Sequence, residues 1–358
     1  MTLKSIVIVL PIDTPSLITT IYLQQTMSTS QNHTPNKSVD AGSMAAARDI
    51  SSREARVTRD GFDLISRTPI QYDQDLSDQY QDITYHKSSA DGCARIAFDR
   101  PEVLHAFRPI TIREIQQAVE DATDDPRVGV IILTSNTNSF SLSKRWSYES
   151  KIYTPAFCAG GDQTVRSAEG GYQDGSERAA KLRVLDLQVQ MRRCPKPIIA
   201  TVRGYAVGGG HILHMVADLT LCSETAVLGQ TGSRMGSFDA GYGCVTAAAL
   251  MGQKRARELW FLCRYYNAKD AEAMGLVNAV FPDVDLESAT AQWVRRMMFN
   301  SPTALAATKA SCNAAQDGAV GLSQMGGELT RLFYQSTEAQ EGRQAFLDKR
   351  APNFRSFL

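Results

Sequence analysis

Residues 195–223 read PKPIIATVRGYAVGGGHILHMVADLTLCS. The run Ile198–Val202 is apolar and β-branched, as expected of a strand buried on both faces. Gly208–Gly210 then break the chain, HILHMV continues at helical spacing, and LTLC reads as a further strand. Strand, glycine turn, helix and strand in that order specify a right-handed crossover unit, so the fold class is α/β with a mostly parallel sheet.

The same plan extends outward. Order is expected from about residue 78: ITYHK and CARIAFD predict an antiparallel pair joined at Asp91-Gly92. ITIREIQQAVEDATDD places Ile112, Ile115, Ala118 and Val119 on one helical face, and VGVIILTS predicts a second strand buried on both faces. Downstream the chain turns helical. TAAALMGQKRARELWFLC has helical spacing, and NAKDAEAMGLVNAVFP predicts a helix, a stop at Gly275 and a short strand. LESATAQWVRRMMFN and SPTALAATKASCNAA predict two more helices, the second with Ser301 as N-cap and Pro302 at its first position. One or two helices close the chain.

Composition narrows the function. Of 358 residues, 43% are hydrophobic and 21% charged, with Lys+Arg and Asp+Glu both at 38. A zero formal charge argues against nucleic acid as the main partner, because phosphate binding requires a basic excess. Seven cysteines, scattered and without a CxxC, imply free buried thiols in a reducing compartment. The N-terminal apolar stretch is interrupted by Pro11, Asp13 and Pro15, so no membrane span is expected there. Residues 24–60 are polar, with Arg48, Arg53, Arg56 and Arg59 late in the run, which is the composition of a disordered leader or targeting segment. Met27 and Met44 are alternative starts. The default compartment is cytoplasmic, with a plastid, peroxisome or mitochondrion open through the leader. The C-terminal RSFL is not the Ser-Lys-Leu signal. The expected organisation is a leader over 1–60, a core over 61–295 and a helical oligomerisation region over 296–358. Within the core, 136–155 is polar, irregular and unusually long; it reads as a surface loop, a functional lid or a wrongly retained segment.

Two glycine loops carry the chemistry, PAFCAGGDQ (155–163) and RGYAVGGGH (203–211). Each leads into a predicted helix start, where backbone N–H groups lack partners. Two such starts facing one another can hold one oxygen, as an oxyanion hole does. Neither loop is a GxGxxG with an acid about twenty residues on, nor a GxxxxGK[ST] phosphate loop. His211, His214 and Asp218 have a spacing that suggests a metal, but their apolar flanks favour core histidines.

The stretches FCAGGDQ, GGYQD, CPKPIIATVRGYAVGGGHILHM, LGQTG, GSFDAGYG, GQKRARELWFLCR, LFYQSTEAQEGRQAF and KRAPNF, in that order, resemble the crotonase (enoyl-CoA hydratase/isomerase) superfamily. Within it they are most similar to the 1,4-dihydroxy-2-naphthoyl-CoA (naphthoate) synthases. The resemblance implies a spiral of ββα units with a helical C-terminal trimerisation region, assembled as a trimer or a dimer of trimers. It implies a carbon–carbon lyase that condenses o-succinylbenzoyl-CoA intramolecularly, a step toward menaquinone or phylloquinone. Gly161 and Gly209 would donate to the thioester carbonyl. The two catalytic glutamates of the superfamily's hydratases are replaced by Ile212 and Gly232. The resemblance therefore implies a bicarbonate ion as base, held by Gln230, Thr231, Gly232 and Trp260. Asp239, Tyr172, Ser237 and Tyr334, the last from a neighbouring subunit, would act on the substrate's carboxylate. Arg100, Arg108, Lys349 and Arg350 would meet the phosphates of CoA, and Asp162 and Gln163 would shape the first glycine turn. His105 and Ala159 depart from the family's usual Asn and Ser. Alternatives are another crotonase-fold enzyme with an enolate intermediate, or a non-catalytic CoA-binding protein.

Overall fold

Apolar runs that alternate with amphipathic helices can be buried only as a sheet covered on both faces, and the chain folds accordingly. The computed structural model describes residues 65–136, 155–167, 171–175, 183–237 and 241–357. The expected leader, Asp239 and the body of the 136–155 segment lie outside the described residues. In chain order the strands are β1 Gln74–Asp75, β2 Ile83–Ser88, β3 Cys93–Phe98, β4 Val130–Ser135, β5 Ala156–Cys158 and β6 Ile198–Val202. They continue with β7 Tyr205–Val207, β8 Leu219–Ser223, β9 Val227–Gly229, β10 Tyr265–Asn267 and β11 Ala279–Phe281. The helices are α1 Pro109–Asp124, α2 Val184–Arg193, α3 Gly209–Val216, α4 Gly243–Met251, α5 Gln253–Leu262, α6 Ala268–Ala273, α7 Leu286–Met298, α8 Pro302–Phe333 and α9 Thr337–Leu347.

The main sheet has the order β1-β2-β3-β4-β6-β8-β11. It is antiparallel across β1, β2 and β3 and parallel from β3 to β11. Every residue of β4 and β6 is buried. Successive side chains pack to opposite sides. Ile131, Leu133 and Ala200 join Ile112, Ile115 and Leu213 in the larger core, whereas Val130, Ile132 and Ile199 meet Leu286 and Val294 of α7.

A second sheet, β10-β9-β7-β5, carries the two glycine loops. Its strands span three residues each, too few for an alternation pattern to be read, and Tyr205–Val207 had been expected only as part of a turn. The run 246–263 also differs from expectation. It is two helices, because Gly252 takes φ 80° and ψ 159° between α4 and α5. Order begins earlier than 78, since β1 pairs with β2. The Asp91-Gly92 turn, the Gly275 stop (φ 75°) and the Ser301 cap, whose side chain accepts from the Ala304 amide, are as expected. Among the described residues, no helix is long and apolar enough to cross a membrane. None of the seven cysteines is joined in a disulfide.

The C-terminal helix is fastened by charge. Lys309 bonds Asp218 at 2.7 Å, and Arg192 of α2 pairs with Asp317 of α8 at 3.0 Å. Both partners of the second pair are almost fully buried, at 6% and 4% side-chain exposure, and Asn313 returns a bond to the Arg192 carbonyl. Gly318 then kinks α8 (φ 57°, ψ −133°). We expect Asp317→Ala to strand a buried guanidinium and lower stability by about 3–5 kcal/mol, read by chemical denaturation. A change under about 1 kcal/mol would show that this pair does not hold the helix down.

Candidate active site

The site grows from the pairing of β5 with β7. Their parallel register brings the turns that leave them side by side. On leaving β5 the chain meets residues 104–107: the Phe107 amide donates to the Gly160 carbonyl and the Asp162 amide to the Phe107 carbonyl, both at 2.8 Å. In such a parallel bridge the residue between the bonds, Gly161, turns its own N–H to the other side. No acceptor for that N–H exists among the described residues. Gly208 (φ 57°, ψ −125°) makes the second turn, in a conformation open only to glycine, and Gly209 opens α3 with its N–H outside the helical ladder. The two turns touch, since a β-carbon on Gly160 would lie 3.0 Å from the Gly209 nitrogen. Gly161 and Gly209, whose amides find no acceptor among the described residues, both line one cavity of about 510 Å³.

The described residues that flank the 136–155 segment are tied to the sheets. Ser135 Oγ donates to the Ala156 carbonyl at 2.8 Å, the Asn136 amide to the Phe98 carbonyl at 2.9 Å, and the Tyr205 amide to the Pro155 carbonyl at 3.0 Å.

Apolar walls come from Phe107, Val184, Leu185, Val207 and Ile212, and polar groups from Gln163, Gln188, Gln230, Thr231, Arg234, Ser237 and the two tyrosines, Tyr172 and Tyr265. No carboxylate or histidine lies among these described lining residues. Tyr172 leans over the first turn: a β-carbon on Gly161 would fall 2.3 Å from its hydroxyl. Gln163 donates to the Gly161 carbonyl at 2.8 Å. Arg166, which has no signature in the sequence, donates to the Met235 and Gly236 carbonyls at 3.1 and 2.6 Å. That bond joins the loop after Gly161 to the loop that carries Gly232 and Ser237.

Charge holds the first turn from behind. Asp162 accepts from the Thr164 amide (3.0 Å) and hydroxyl (2.7 Å), and from Arg100 (3.1 Å). Burial pushes this carboxyl up, but those hydrogen bonds and the arginine outweigh it and leave it below its ordinary range. Asp82 takes a two-pronged bond from Arg108, at 2.8 and 2.7 Å, and lies 3.6 Å from Arg100. Arg100 and Arg108 are therefore committed to carboxylates, and neither lines the cavity. Leu104 and His105 both sit at positive φ (54° and 57°), a region in which histidine is tolerated, as asparagine is. Burial brings His105 down to about 4, so it is neutral and its Nδ1 accepts from the Arg100 amide at 3.1 Å.

The other expected residues fall in three places. Gln230, Thr231, Gly232 and Ser237 line the cavity with Gly161, Gly209, Tyr172 and Gln163. Trp260 does not line the cavity; Ser233 Oγ donates to its carbonyl at 3.1 Å, and its indole nitrogen is buried without a partner among the described residues. Tyr334, Lys349 and Arg350 lie elsewhere on the chain. Tyr334 lines a separate groove with Phe333, Arg343 and Phe354, and Arg350 pairs with Glu341 at 2.7 Å. Asp239 is outside the described residues. His211 and His214 are core histidines, fully buried and bonded to each other at 2.8 Å, and burial holds both well below the ordinary range. Among the described residues no cluster could hold a metal.

The corner around Gly232 leaves room for a small group: Thr231 lines the cavity beside it, and a β-carbon on Gly232 would meet only Ser237 atoms, the nearest at 3.4 Å. One N–H of the Gln230 side-chain amide is given to the Gly208 carbonyl at 3.0 Å, which braces the side chain against the second glycine turn.

Comparison with known proteins adds a family and a fold. The family model described as enoyl-CoA hydratase/isomerase matches residues 88–144 and 151–356. A solved enoyl-CoA hydratase subunit from Geobacillus kaustophilus is similar at 27% identity and TM-score 0.56, over 77% of this chain and 98% of that one. An enoyl-CoA hydratase from Bacillus anthracis is similar at 25% identity and TM-score 0.57, over 76% and 99%. One from Mycobacterium smegmatis, at 23% identity and TM-score 0.57 over 77% and 99%, shares the fold.

The depressed Asp162 carboxyl fixes a sign. Its contribution to stability is present above the unfolded value, about 4, and is lost as pH falls through the lower folded value. We expect Asp162→Ala to cost about 1–2 kcal/mol at neutral pH and to flatten the acid limb of a stability–pH curve. An unchanged acid limb would contradict this role.

Proposed function

The chain belongs to the enoyl-CoA hydratase/isomerase family, and from that premise we propose that it is a 1,4-dihydroxy-2-naphthoyl-CoA synthase acting on o-succinylbenzoyl-CoA. One observation carries the proposal: Gly161 and Gly209, whose amides have no partner among the described residues, line one cavity, and its described lining holds no carboxylate. A hydratase of this superfamily needs two. An enzyme that needs only an enolate, and borrows its base, does not.

The amides bind the thioester oxygen most strongly when the α-carbon has lost its proton and the oxygen carries charge, which is the condition for lowering the barrier. Each such donor is worth about 3 kcal/mol. The α-carbon then attacks the carbon of the substrate's aromatic carboxylate, the new ring forms, and loss of water with tautomerisation gives the aromatic thioester. Tyr172 and Ser237 face the space where that carboxylate would lie, and in this reading they donate to it together with Asp239. Thr231, Gly232 and Trp260 would hold a bicarbonate ion, braced by Gln230. When bound, that ion would supply the general base that the described side chains lack. Arg100 and Asp162 orient the first amide, and in this reading Arg108, Lys349 and Arg350 are the candidates for the CoA phosphates, although Arg108 and Arg350 already pair with Asp82 and Glu341.

Apolar side chains beyond the kink in α8, among them Leu322 (66% exposed) and Leu329 (63%), and Phe346 on α9 (83%), support a C-terminal region that packs against further copies, as a trimer or a dimer of trimers. In that assembly Tyr334 would belong to a neighbour's cavity.

Purified chain incubated with o-succinylbenzoyl-CoA is expected to give a naphthoyl-CoA product lighter by one water, detected by mass and absorbance. Turnover only of other acyl-CoA thioesters would transfer the site to a different enolate-forming reaction. Gly232 has an ordinary helical φ of −49°, so Gly232→Glu is sterically admissible. We expect this variant to lose bicarbonate stimulation altogether, and undiminished stimulation would contradict the proposed place of the ion.

A further inference from the structure

We propose that Gln188 is a specificity-determining residue that donates a hydrogen bond to an oxygen of the acyl group beyond its α-carbon. The inference rests on the cavity being an acyl-CoA site and goes beyond it, to the kind of acyl group admitted.

Gln188 sits on the inward stripe of α2 with Leu187 and Met191, where the helical pattern calls for an apolar residue. It is 1% exposed. A glutamine buried this deeply normally satisfies both ends of its amide. Among the described residues only one end is satisfied. Its Oε1 accepts from the Tyr242 backbone N–H at 3.0 Å. A backbone N–H can only donate, so the oxygen of the side-chain amide is the atom at that position and the nitrogen is the other. The amide cannot swing away easily. Gly241 packs so close that a β-carbon there would be 2.3 Å from Oε1.

Nε2 therefore carries two N–H donors, and no acceptor for them exists among the described residues. It is not one of the sealed, partnerless atoms of the interior, unlike Trp260 Nε1. Gln188 lines the cavity beside Val184 and Leu185, while the oxyanion amides come from the turns after β5 and β7. A thioester held at those amides would lay its acyl chain between Val184, Leu185 and this one donor.

An alkyl chain in that position would bury the donor against hydrocarbon and leave it unpaired, which is expensive. An acyl group with a ketone or carboxylate oxygen there would satisfy it. A site built with a fixed donor rejects the analogue that lacks the acceptor more strongly than an apolar pocket rejects a change of shape. The acyl groups selected are thus those with a second oxygen function some bonds from the thioester.

The test is binding rather than turnover, so that it stands apart from the condensation itself. The full chain is titrated calorimetrically with CoA, 4-phenylbutanoyl-CoA, 4-oxo-4-phenylbutanoyl-CoA and 4-(2-carboxyphenyl)butanoyl-CoA. The native chain is expected to prefer an oxygen-bearing thioester over the plain one by about tenfold or more. The ketone and carboxylate arms identify which oxygen is read. Gln188→Glu keeps the acceptor for the Tyr242 amide and removes the donors when ionised. It should abolish the preference at neutral pH, restore it as the pH falls and the carboxyl protonates, and leave affinity for CoA alone unchanged. Gln188→Leu should abolish the preference at every pH; if it fails to fold, the glutamate variant decides. A preference that survives in Gln188→Glu at neutral pH, or that is absent from the native chain, overturns the proposal. A retained preference without any naphthoyl product would uphold this residue's role and remove only the assigned reaction. Failure to bind any of the thioesters overturns both.

Discussion

The contact between the Gly160–Gly161 turn and the Gly208–Gly209 turn is the constraint that the rest of the cavity serves. Neither turn can make it alone. Each leaves a three-residue strand of the smaller sheet, and the parallel pairing of β5 with β7 sets them side by side. Glycine is required for two different reasons. Gly208 needs a left-handed φ, and Gly210, one residue inside α3, packs so closely on β5 that a β-carbon would lie 2.2 Å from the Cys158 carbonyl oxygen. The result is a pair of backbone donors whose direction is set by strand pairing and helix start, not by rotatable side chains. Such donors would need no reorganisation if charge appeared on an oxygen held between them, and the proposed reaction depends on that property.

Around this contact the charged side chains act as struts. Asp162, next to Gly161, is held by Thr164 and Arg100, and Arg100 also approaches Asp82, which Arg108 grips with two bonds. The Thr111 hydroxyl donates to the same Asp82. Three elements far apart in sequence, the approach to β2, the start of α1 and the first glycine turn, are joined by two arginines and two aspartates. Isolated buried ions would be costly, but here each oxygen has a donor and each guanidinium at least one carboxylate. On the far side Arg192, stacked 4.3 Å over the Tyr242 ring and paired with Asp317, does the same for α2, α4 and the C-terminal helix.

What could be read from the sequence, and what could not, divides along the range of the interactions. The strand–glycine–helix–strand pattern of 195–223 is local, and it appears as β6 to β8 with α3. So are the Ser301 cap and the Gly275 stop. Two fully buried strands, β4 and β6, were legible because a doubly covered strand has no polar alternation. The smaller sheet was not legible, since its strands are too short to show a period and exist only through pairing. Gly252 was read as part of a helical run because glycine is tolerated in such runs; its extended ψ is imposed by how α4 and α5 pack. In the site, the glycines, Gln230, Thr231, Ser237 and Tyr172 come together around one cavity. Arg100 and Arg108, expected at phosphates, have their guanidinium groups taken by Asp82 and Asp162, partners that no spacing rule connects to them. Gln188 did leave a trace, a polar residue in the apolar stripe of VLDLQVQM, and Arg166 left none, because its partners are main-chain carbonyls of a distant loop.

The account depends on those two amides taking hold of a thioester oxygen, and isotope-edited infrared spectroscopy of an acyl-CoA labelled with carbon-13 at the thioester carbonyl observes that bond itself. Bound to the protein, the carbonyl stretch is predicted to move to lower frequency than in water, since two fixed donors in a cavity partly closed to solvent polarise it more than bulk solvent does. A stretch at the solution frequency, or above it, in a thioester that is demonstrably bound would contradict the account.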